Sequence, residues 1–284
     1  MSAVIVDGQA MSDGIMGEVK QRVLSLNSDG VNPHLAVIIV GDDPASQIYV
    51  KNKEKACSRC GIISSRINLP GSSKIEEILG VVDDLNVDDS VHGILVQSPA
   101  PDGIDESEIA KRISKKKDVD GFHPENLGAL VQGRIEGLVP CTPSGIMRML
   151  EISGAEVKGA RALVIGRSRI VGMPMSLMLA RKGVDATVTI SHSMTTGIES
   201  LCREADVLVS AIGKAGFVKP EWVKPGSFLI DVGISRLPDG KIAGDFDPGV
   251  TEVAGWVTPV PGGVGPMTIA MLMENTVFAA ENRG

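Results

Sequence analysis

The sequence predicts an α/β protein of two domains, the second of them a Rossmann-type dinucleotide-binding domain. Three observations predict it. Apolar runs of strand length alternate with segments of helical period along most of the 284 residues. One such run, Ala162-Leu-Val-Ile165, ends in a glycine turn that opens a helix, Gly166-Arg-Ser-Arg-Ile-Val-Gly172. Just ahead of it Gly133, Gly137, Pro140 and Pro143 interrupt the pattern, and a boundary there leaves two pieces of ordinary domain size.

The strands follow from the apolar runs. His34–Val40, Val91–Val96, Ala162–Ile165, Ala186–Ile190, Val207–Ile212 and Phe228–Val232 are nearly continuous in apolar or β-branched residues. A half-exposed strand would alternate with polar residues, so these fit parallel strands covered on both faces. Helical segments fall between and around them, at about 45–60, 74–86, 105–114, 144–153, 172–182, 198–204 and 267–282. In the last, Ile269, Leu272, Met273, Thr276, Val277 and Ala280 recur at three- and four-residue steps. Strand–helix–strand alternation at this spacing implies right-handed crossovers.

Composition narrows the function. Hydrophobic residues make up 43% of the chain and aromatics only 3%, so a large core must be built from Val, Ile, Leu, Ala and Met. The 28 Lys and Arg against 35 Asp and Glu leave a formal charge of −7, which argues against a nucleic-acid partner. Apolar runs stay short of the roughly 18–20 residues of a membrane helix. The N-terminal residues lack the basic flank and apolar length of a signal peptide. Four cysteines are too few for a disulfide framework, so a reducing, cytoplasmic setting is expected. The pair Cys57-Ser-Arg-Cys60 sits near a helix end before Gly61, and a second ligand pair for zinc is missing; structural thiols and no metal are expected.

The glycine turn departs from G-x-G-x-x-G because Ser168 stands at the second glycine position. Gly166 still allows the sharp turn, the helix N-terminus still offers amides to phosphate, and Gly172 still permits close packing of helix on strand. Pro174 lies early in the helix, where its missing donor costs little. The next strand runs into Ser191-His192-Ser193 with no carboxylate to take a ribose 2′-hydroxyl, and Arg167 lies in the turn. Arginine and hydroxyls without an acid suit a 2′-phosphate, so NADP is expected rather than NAD.

Other polar residues collect at strand ends. Tyr49 and Lys53 are four apart, on one face of the helix that follows the first predicted strand. Gln97 ends the Val91–Val96 strand at the same kind of edge. Lys117-Asp-Val-Asp-Gly-Phe-His-Pro124 reads as a turn carrying two carboxylates, and His123 as a hydrogen-bonding turn residue. Thr258-Pro-Val-Pro-Gly-Gly-Val-Gly-Pro-Met-Thr268 has too many turn formers for regular structure and launches the last helix. Alone, the Tyr–Lys pair would read as a surface contact and Gln97 as a strand cap.

Taken in order, Tyr49-Val-x-x-Lys53, Gly93-Ile-Leu-Val-Gln97, Asp118-Val-Asp-Gly-Phe-His-Pro124, Gly166-Arg-Ser-x-Ile-Val-Gly172 and Thr258–Thr268 resemble the bifunctional methylenetetrahydrofolate dehydrogenase/methenyltetrahydrofolate cyclohydrolases over essentially the whole chain. The resemblance implies two α/β domains flanking a cleft: a folate-binding domain of residues 1–140 plus 266–284 and an NADP-binding domain of residues 141–265. It implies oxidation of 5,10-methylenetetrahydrofolate with NADP⁺ and hydrolysis of the methenyl product to 10-formyltetrahydrofolate, in a cytoplasmic homodimer. Lys53 then matches the catalytic lysine, Tyr49 the tyrosine over the folate ring, Gln97 the lysine's partner and Asp120 the anchor of the pterin. Val96, Ser98 and the loop Pro261, Gly262, Gly263, Val264 complete the folate set. Gly166, Arg167, Ser168, Val171, Ser193, Gly213 and Ile234 match the cofactor set.

Three departures from the family pattern stand out: Ser98-Pro-Ala-Pro101 in place of Leu-Pro-Leu-Pro, Met173 in place of lysine and Phe246 in place of valine. The first bears on the wall of the folate pocket. None touches Lys53, Gln97 or Asp120. A monofunctional NAD(P)-dependent methylenetetrahydrofolate dehydrogenase is the alternative reading. An NADP-dependent dehydrogenase of another substrate, or a nucleotide sensor on the same scaffold, fits the motif set less well.

Overall fold

The apolar runs become parallel strands in two separate sheets. The computed structural model describes residues 2–283. Met1 and Gly284, the outer limits of the expected folate domain, lie outside the described residues. In chain order the elements are β1 (Val4–Ile5), α1 (Gly8–Ser28), β2 (His34–Val40), α2 (Pro44–Cys60), β3 (Ile63–Leu69), α3 (Ile75–Val87), β4 (Gly93–Val96), α4 (Glu106–Arg112) and α5 (Pro124–Val131). After them come α6 (Cys141–Ile152), β5 (Arg161–Ile165), α7 (Gly172–Ala180), β6 (Thr187–Ser191), α8 (Ile198–Glu204) and β7 (Val207–Ser210). The remainder is β8 (Phe228–Asp231), β9 (Ser235–Arg236), β10 (Ile242–Ala243), β11 (Trp256–Val257) and α9 (Val264–Glu281).

The chain divides into two units. The first is Asp13–Cys141 with the residues from Ile269 onward; the second is the residues up to Ser12 with Thr142–Thr268. The divisions inside α1 and α9 mean that both helices belong partly to each unit.

In the first unit β2 is the middle strand of a parallel sheet ordered β3-β2-β4, with Leu35 opposite Ser64 and Gly93. Six of its seven residues are buried. Ala36, Ile38 and Ile94 pack with Ile78 and Val82 of α3 and Ile109 of α4 in one core cluster. Beyond β4, Ile94 bridges Asp118 in parallel, which draws the Asp118–Asp120 turn alongside the strand.

Three elements here were not predicted. Strand β3, Ile63-Ser-Ser-Arg-Ile-Asn-Leu69, is a half-covered edge whose polar residues break any apolar run. In α1 the buried Ile15, Met16, Val19 and Val23 form a helical stripe that Gly8, Gly14 and Gly17 obscure. Helix α5 begins at Pro124 in a segment that reads as a turn, and the His123 ring caps it, Nδ1 accepting from the Glu125 N–H at 3.1 Å.

The second unit carries a six-stranded sheet, all parallel, in the order β1-β11-β8-β7-β5-β6. Its central strands β5, β7 and β8 are almost wholly buried. Val4 and Ile5 pair with Trp256 and Val257, which puts the first residues of the chain in this sheet, where the sequence assigns them to the folate domain. Two exposed residues carry no periodicity, and their partner strand lies near the other end of the chain. The remaining divisions, after Cys141 and after Thr268, lie one and three residues from the expected boundaries.

Candidate active site

In the first unit the polar residues gather at the carboxyl ends of β2 and β4. Helix α2 leaves β2 through Gly41-Asp-Asp-Pro44; the Asp43 carboxylate caps it by accepting from the Ser46 N–H at 2.7 Å, and Pro44 fills the first turn. One turn in, Tyr49 is 39% exposed and Lys53 half-buried. Gln97 extends the ladder past β4, its N–H donating to Ile38 O at 2.8 Å, and its side chain is buried.

The lysine and the glutamine are in contact. Lys53 Nζ donates to Gln97 Oε1 at 3.0 Å, and Gln97 Nε2 donates to Ser98 O at 2.6 Å. The amide is tied at both ends and presents its oxygen to the amine. Burial lowers the Lys53 pKa from the usual lysine range, while the nearby Asp120 charge opposes that shift. Burial raises the Asp120 carboxyl, Lys53 pulls it back down and Glu106 pushes it up again. Val96 is half-buried, and Ser98 is exposed.

The two carboxylates of the 118–120 turn have different jobs. Asp118 is buried and accepts from the N–H groups of Phe122 at 3.1 Å and His123 at 2.7 Å and from Asn126 Nδ2 at 2.8 Å. It holds the turn, and burial pushes its carboxyl up to about 7 against those hydrogen bonds. Asp120 is left to interact with Lys53.

Two residues of this neighbourhood were not singled out from sequence. Glu106 Oε1 accepts from Ser98 Oγ and from the Ala100 N–H, both at 2.8 Å, and so pins the departing Ser98–Pro101 turn. Cys141 is a buried thiol donating to Val119 O at 3.2 Å, with Asp120 and Lys53 both acting on it; burial pushes its pKa well above the usual thiol range. A lone Glu and a lone Cys carry no spacing signal, so only the three-dimensional setting finds them.

In the second unit the residues expected to bind the cofactor follow the carboxyl ends of four parallel strands. Gly166 follows β5, Ser193 follows β6, Gly213 follows β7 and Ile234 follows β8. A Cβ on Gly172 would stand 2.1 Å from Gly166 O, and Gly166 itself has φ +115°, so helix and turn approach as only glycine permits. Ser168 takes up the missing glycine's place usefully, its Oγ accepting from the Val171 N–H at 3.2 Å and the Gly172 N–H at 3.4 Å. Arg167, Ser193, Gly213 and Ile234 are exposed. Val171 is buried, so its side chain belongs to the packing under the turn. Gly213 has φ +64°, and a Cβ there would meet nothing within 4 Å, which leaves room for a ligand at the backbone. In the last loop Pro261 is exposed, Gly262 half-buried, and Gly263 and Val264 buried.

These residues fit a dinucleotide: an open glycine turn at a helix start, a cation in the turn, and hydroxyls without a carboxylate after β6. Among the described residues no group of three or more His, Cys, Asp or Glu is placed to hold a metal ion.

A Rossmann-type unit joined to an α/β unit that holds a Lys–Gln–Asp set defines a two-domain, dinucleotide-dependent enzyme. More particularly, the chain belongs to the tetrahydrofolate dehydrogenase/cyclohydrolase family. That family's catalytic-domain model matches residues 6–120, and its NAD(P)-binding-domain model matches residues 140–284. The chain is 51% identical over 280 residues to the bifunctional protein FolD of Campylobacter curvus, covering 98% of this chain and 96% of that protein. Among solved structures it resembles the bifunctional FolD methylenetetrahydrofolate dehydrogenase/cyclohydrolase of Campylobacter jejuni, with a TM-score of 0.97, 47% identity and all of both chains covered. It also resembles the Trypanosoma brucei N5,N10-methylenetetrahydrofolate dehydrogenase-cyclohydrolase, solved with NADP and an inhibitor, with a TM-score of 0.94, 38% identity, and 99% and 98% of the two chains covered.

Proposed function

We propose that this chain oxidises 5,10-methylenetetrahydrofolate to the 5,10-methenyl form with NADP⁺ and then hydrolyses that product to 10-formyltetrahydrofolate. The observation that carries the proposal is Lys53 Nζ held by Gln97 Oε1 at 3.0 Å where burial lowers the lysine pKa. NADP⁺, when bound, supplies the hydride acceptor. The folate nitrogens push electron density toward the methylene carbon, so in the first step the chain has chiefly to align that carbon. Asp120 accepts from the pterin ring N–H and amino group, a paired, charge-assisted contact, and Tyr49 covers the ring. Val96 and Ser98 line the folate. Arg167 takes the 2′-phosphate, while Gly166, Ser168, Ser193, Gly213 and Ile234 receive the rest of the cofactor.

The second step needs a base. Water adds to the cationic methenyl carbon, and Lys53, as the neutral amine, accepts the water's proton. The hydroxyl then gives up its remaining proton to solvent as its oxygen becomes the formyl C=O, the C–N5 bond breaks, and N5 keeps the electron pair and takes a proton back from the Lys53 ammonium. Gln97 keeps the amine's lone pair in a fixed direction. Lys53→Met is expected to abolish hydrolysis of methenyltetrahydrofolate while NADP⁺ still binds, followed by loss of methenyl absorbance and by calorimetry. Full hydrolysis in that variant would remove the lysine from the mechanism. No hydrolysis in the wild type would leave the monofunctional dehydrogenase.

A homodimer in the cytoplasm completes the proposal. Strand β6 ends the sheet order, and Thr187, Thr189 and Ile190 are exposed on it, an edge suited to pairing with a second copy. The four cysteines are free and buried, in keeping with a reducing compartment, and among the described residues no helix is long and apolar enough to cross a membrane. Light scattering is expected to give twice the chain mass; the single-chain mass would rule the dimer out.

A further inference from the structure

Two buried carboxylates of the second unit are used by none of these steps. Asp231 ends β8 and is 5% exposed; Asp245 follows β10 and is 0% exposed. Their hydrogen-bond donors form a closed pattern. Asp245 Oδ2 accepts from Ser210 Oγ at 2.8 Å and from the Ile212 N–H at 2.9 Å, and Oδ1 accepts from the Lys214 N–H at 2.7 Å. Asp231 Oδ1 accepts from the N–H groups of Asp245 at 2.8 Å and Gly233 at 3.1 Å, and Oδ2 accepts from the Phe246 N–H at 3.0 Å. One acid therefore holds the backbone of the other.

The interlock is tight. A Cβ on Gly233 would lie 2.0 Å from Asp245 Oδ1, and one on Gly244 would lie 2.0 Å from Asp231 Oδ2. The Asp231 N–H donates in turn to Thr258 Oγ1 at 2.8 Å, which ties the start of the 258–264 loop to the same node. Ser210 and Asp231 are register partners across β7 and β8.

The pair pins two particular loops. The donors Ile212 and Lys214 flank Gly213, and the donor Gly233 immediately precedes Ile234. We propose that Asp231 and Asp245 are positioning residues of the dinucleotide site, holding the loops of Gly213 and Ile234 open and in register. The proposal rests on the assignment of Gly213 and Ile234 to NADP. The donors facing these acids are backbone N–H groups and one hydroxyl, all neutral, so burying the charges is costly. A scaffold that needed only packing would place apolar residues here. What a carboxylate adds is acceptor capacity, since two oxygens can take several N–H groups of an irregular loop at once. The cost is visible in Asp231, whose carboxyl is pushed up to about 6 by burial and by the charge of Asp245.

The test separates cofactor binding from hydrolysis, which consumes no dinucleotide. Dissociation constants for NADP⁺ and NAD⁺, and kcat and KM for methenyltetrahydrofolate hydrolysis, are measured on Asp245→Asn, Ser210→Ala and Gly213→Ala. Asp245→Asn turns an acceptor into a donor facing N–H groups and is expected to raise both dissociation constants by the same factor, about tenfold or more. Ser210→Ala removes one hydrogen bond, keeps the carboxylate and covers the case in which Asp245→Asn does not fold. It is expected to raise both constants by about threefold, with kcat and KM for hydrolysis within about twofold of wild type. Gly213→Ala is expected to weaken both cofactors. Weaker binding in Gly213→Ala with no change in Ser210→Ala would overturn the positioning role alone. Unchanged binding in Gly213→Ala would overturn the loop assignment and the proposal with it. Hydrolysis falling in step with binding would reduce the pair to a general structural role and overturn the proposal as well.

Discussion

A lysine that serves as a base near neutral pH must give up its proton more readily than one in water. At Lys53 burial works in that direction and the charge of Asp120 works against it. The sign of the pH dependence follows. In the proposed mechanism the neutral amine is the active form, so hydrolysis is expected to climb with pH and level off below the ordinary lysine range. Removing the opposing charge in Asp120→Asn should move that plateau to lower pH and raise KM for the folate, because the pterin anchor is lost as well. A pH profile of hydrolysis in both proteins checks this, and a plateau that does not move would separate Asp120 from the titration of the lysine. Arg167 offers a second test at this scale. Arg167→Ala is expected to weaken NADP⁺ by about tenfold or more, the order of one lost charge-assisted contact, and NAD⁺ much less. Equal losses in titrations of the two cofactors would show that Arg167 does not read the 2′-phosphate.

At the scale of elements, the site depends on turns being held where strands end. Asn275, on α9, shows how this is done: its Nδ2 donates to Val119 O at 2.8 Å, next to Asp120, and to Val139 O at 2.9 Å, two residues before Cys141. Asn275→Ala takes this donor from both carbonyls; Val119 O keeps the Cys141 thiol, and the loss at Val139 O is expected to destabilise the protein by about 1–3 kcal/mol. Urea denaturation measures the change, and a midpoint equal to wild type would show that the carbonyls find other partners. The predicted elements are those whose signal is local. The buried parallel strands read as apolar runs, and the helix of Tyr49 and Lys53 reads from its capping Asp-Pro and its end at Gly61. Strand β3 did not, because an edge strand tolerates Ser64, Ser65, Arg66 and Asn68. Strands β1 and β11 did not, because two residues held by a distant partner have no period. In the same way Lys53, Gln97 and Asp120 are expected only through the resemblance of the motifs that contain them, whereas Glu106 and Asn275 act through contacts that exist only in the folded chain.

At the scale of the whole molecule, a chain of −7 formal charge with an arginine in its nucleotide turn keeps local attraction for phosphate despite its overall sign. The family departures lie beside the machinery: Ser98 is tied to Glu106, Met173 is exposed at the start of α7, and Phe246 packs in the core while its N–H serves Asp231. None replaces Lys53, Gln97, Asp120 or Arg167, so both reactions and the NADP preference are expected to survive them. The most direct measurement follows purified protein with 5,10-methylenetetrahydrofolate and either NADP⁺ or NAD⁺, recording cofactor reduction and methenyl absorbance separately. Faster reduction of NADP⁺ with little build-up of the methenyl compound is the predicted result. Reduction with full methenyl accumulation would contradict the hydrolytic role of Lys53, and no reduction with either cofactor would contradict the account as a whole.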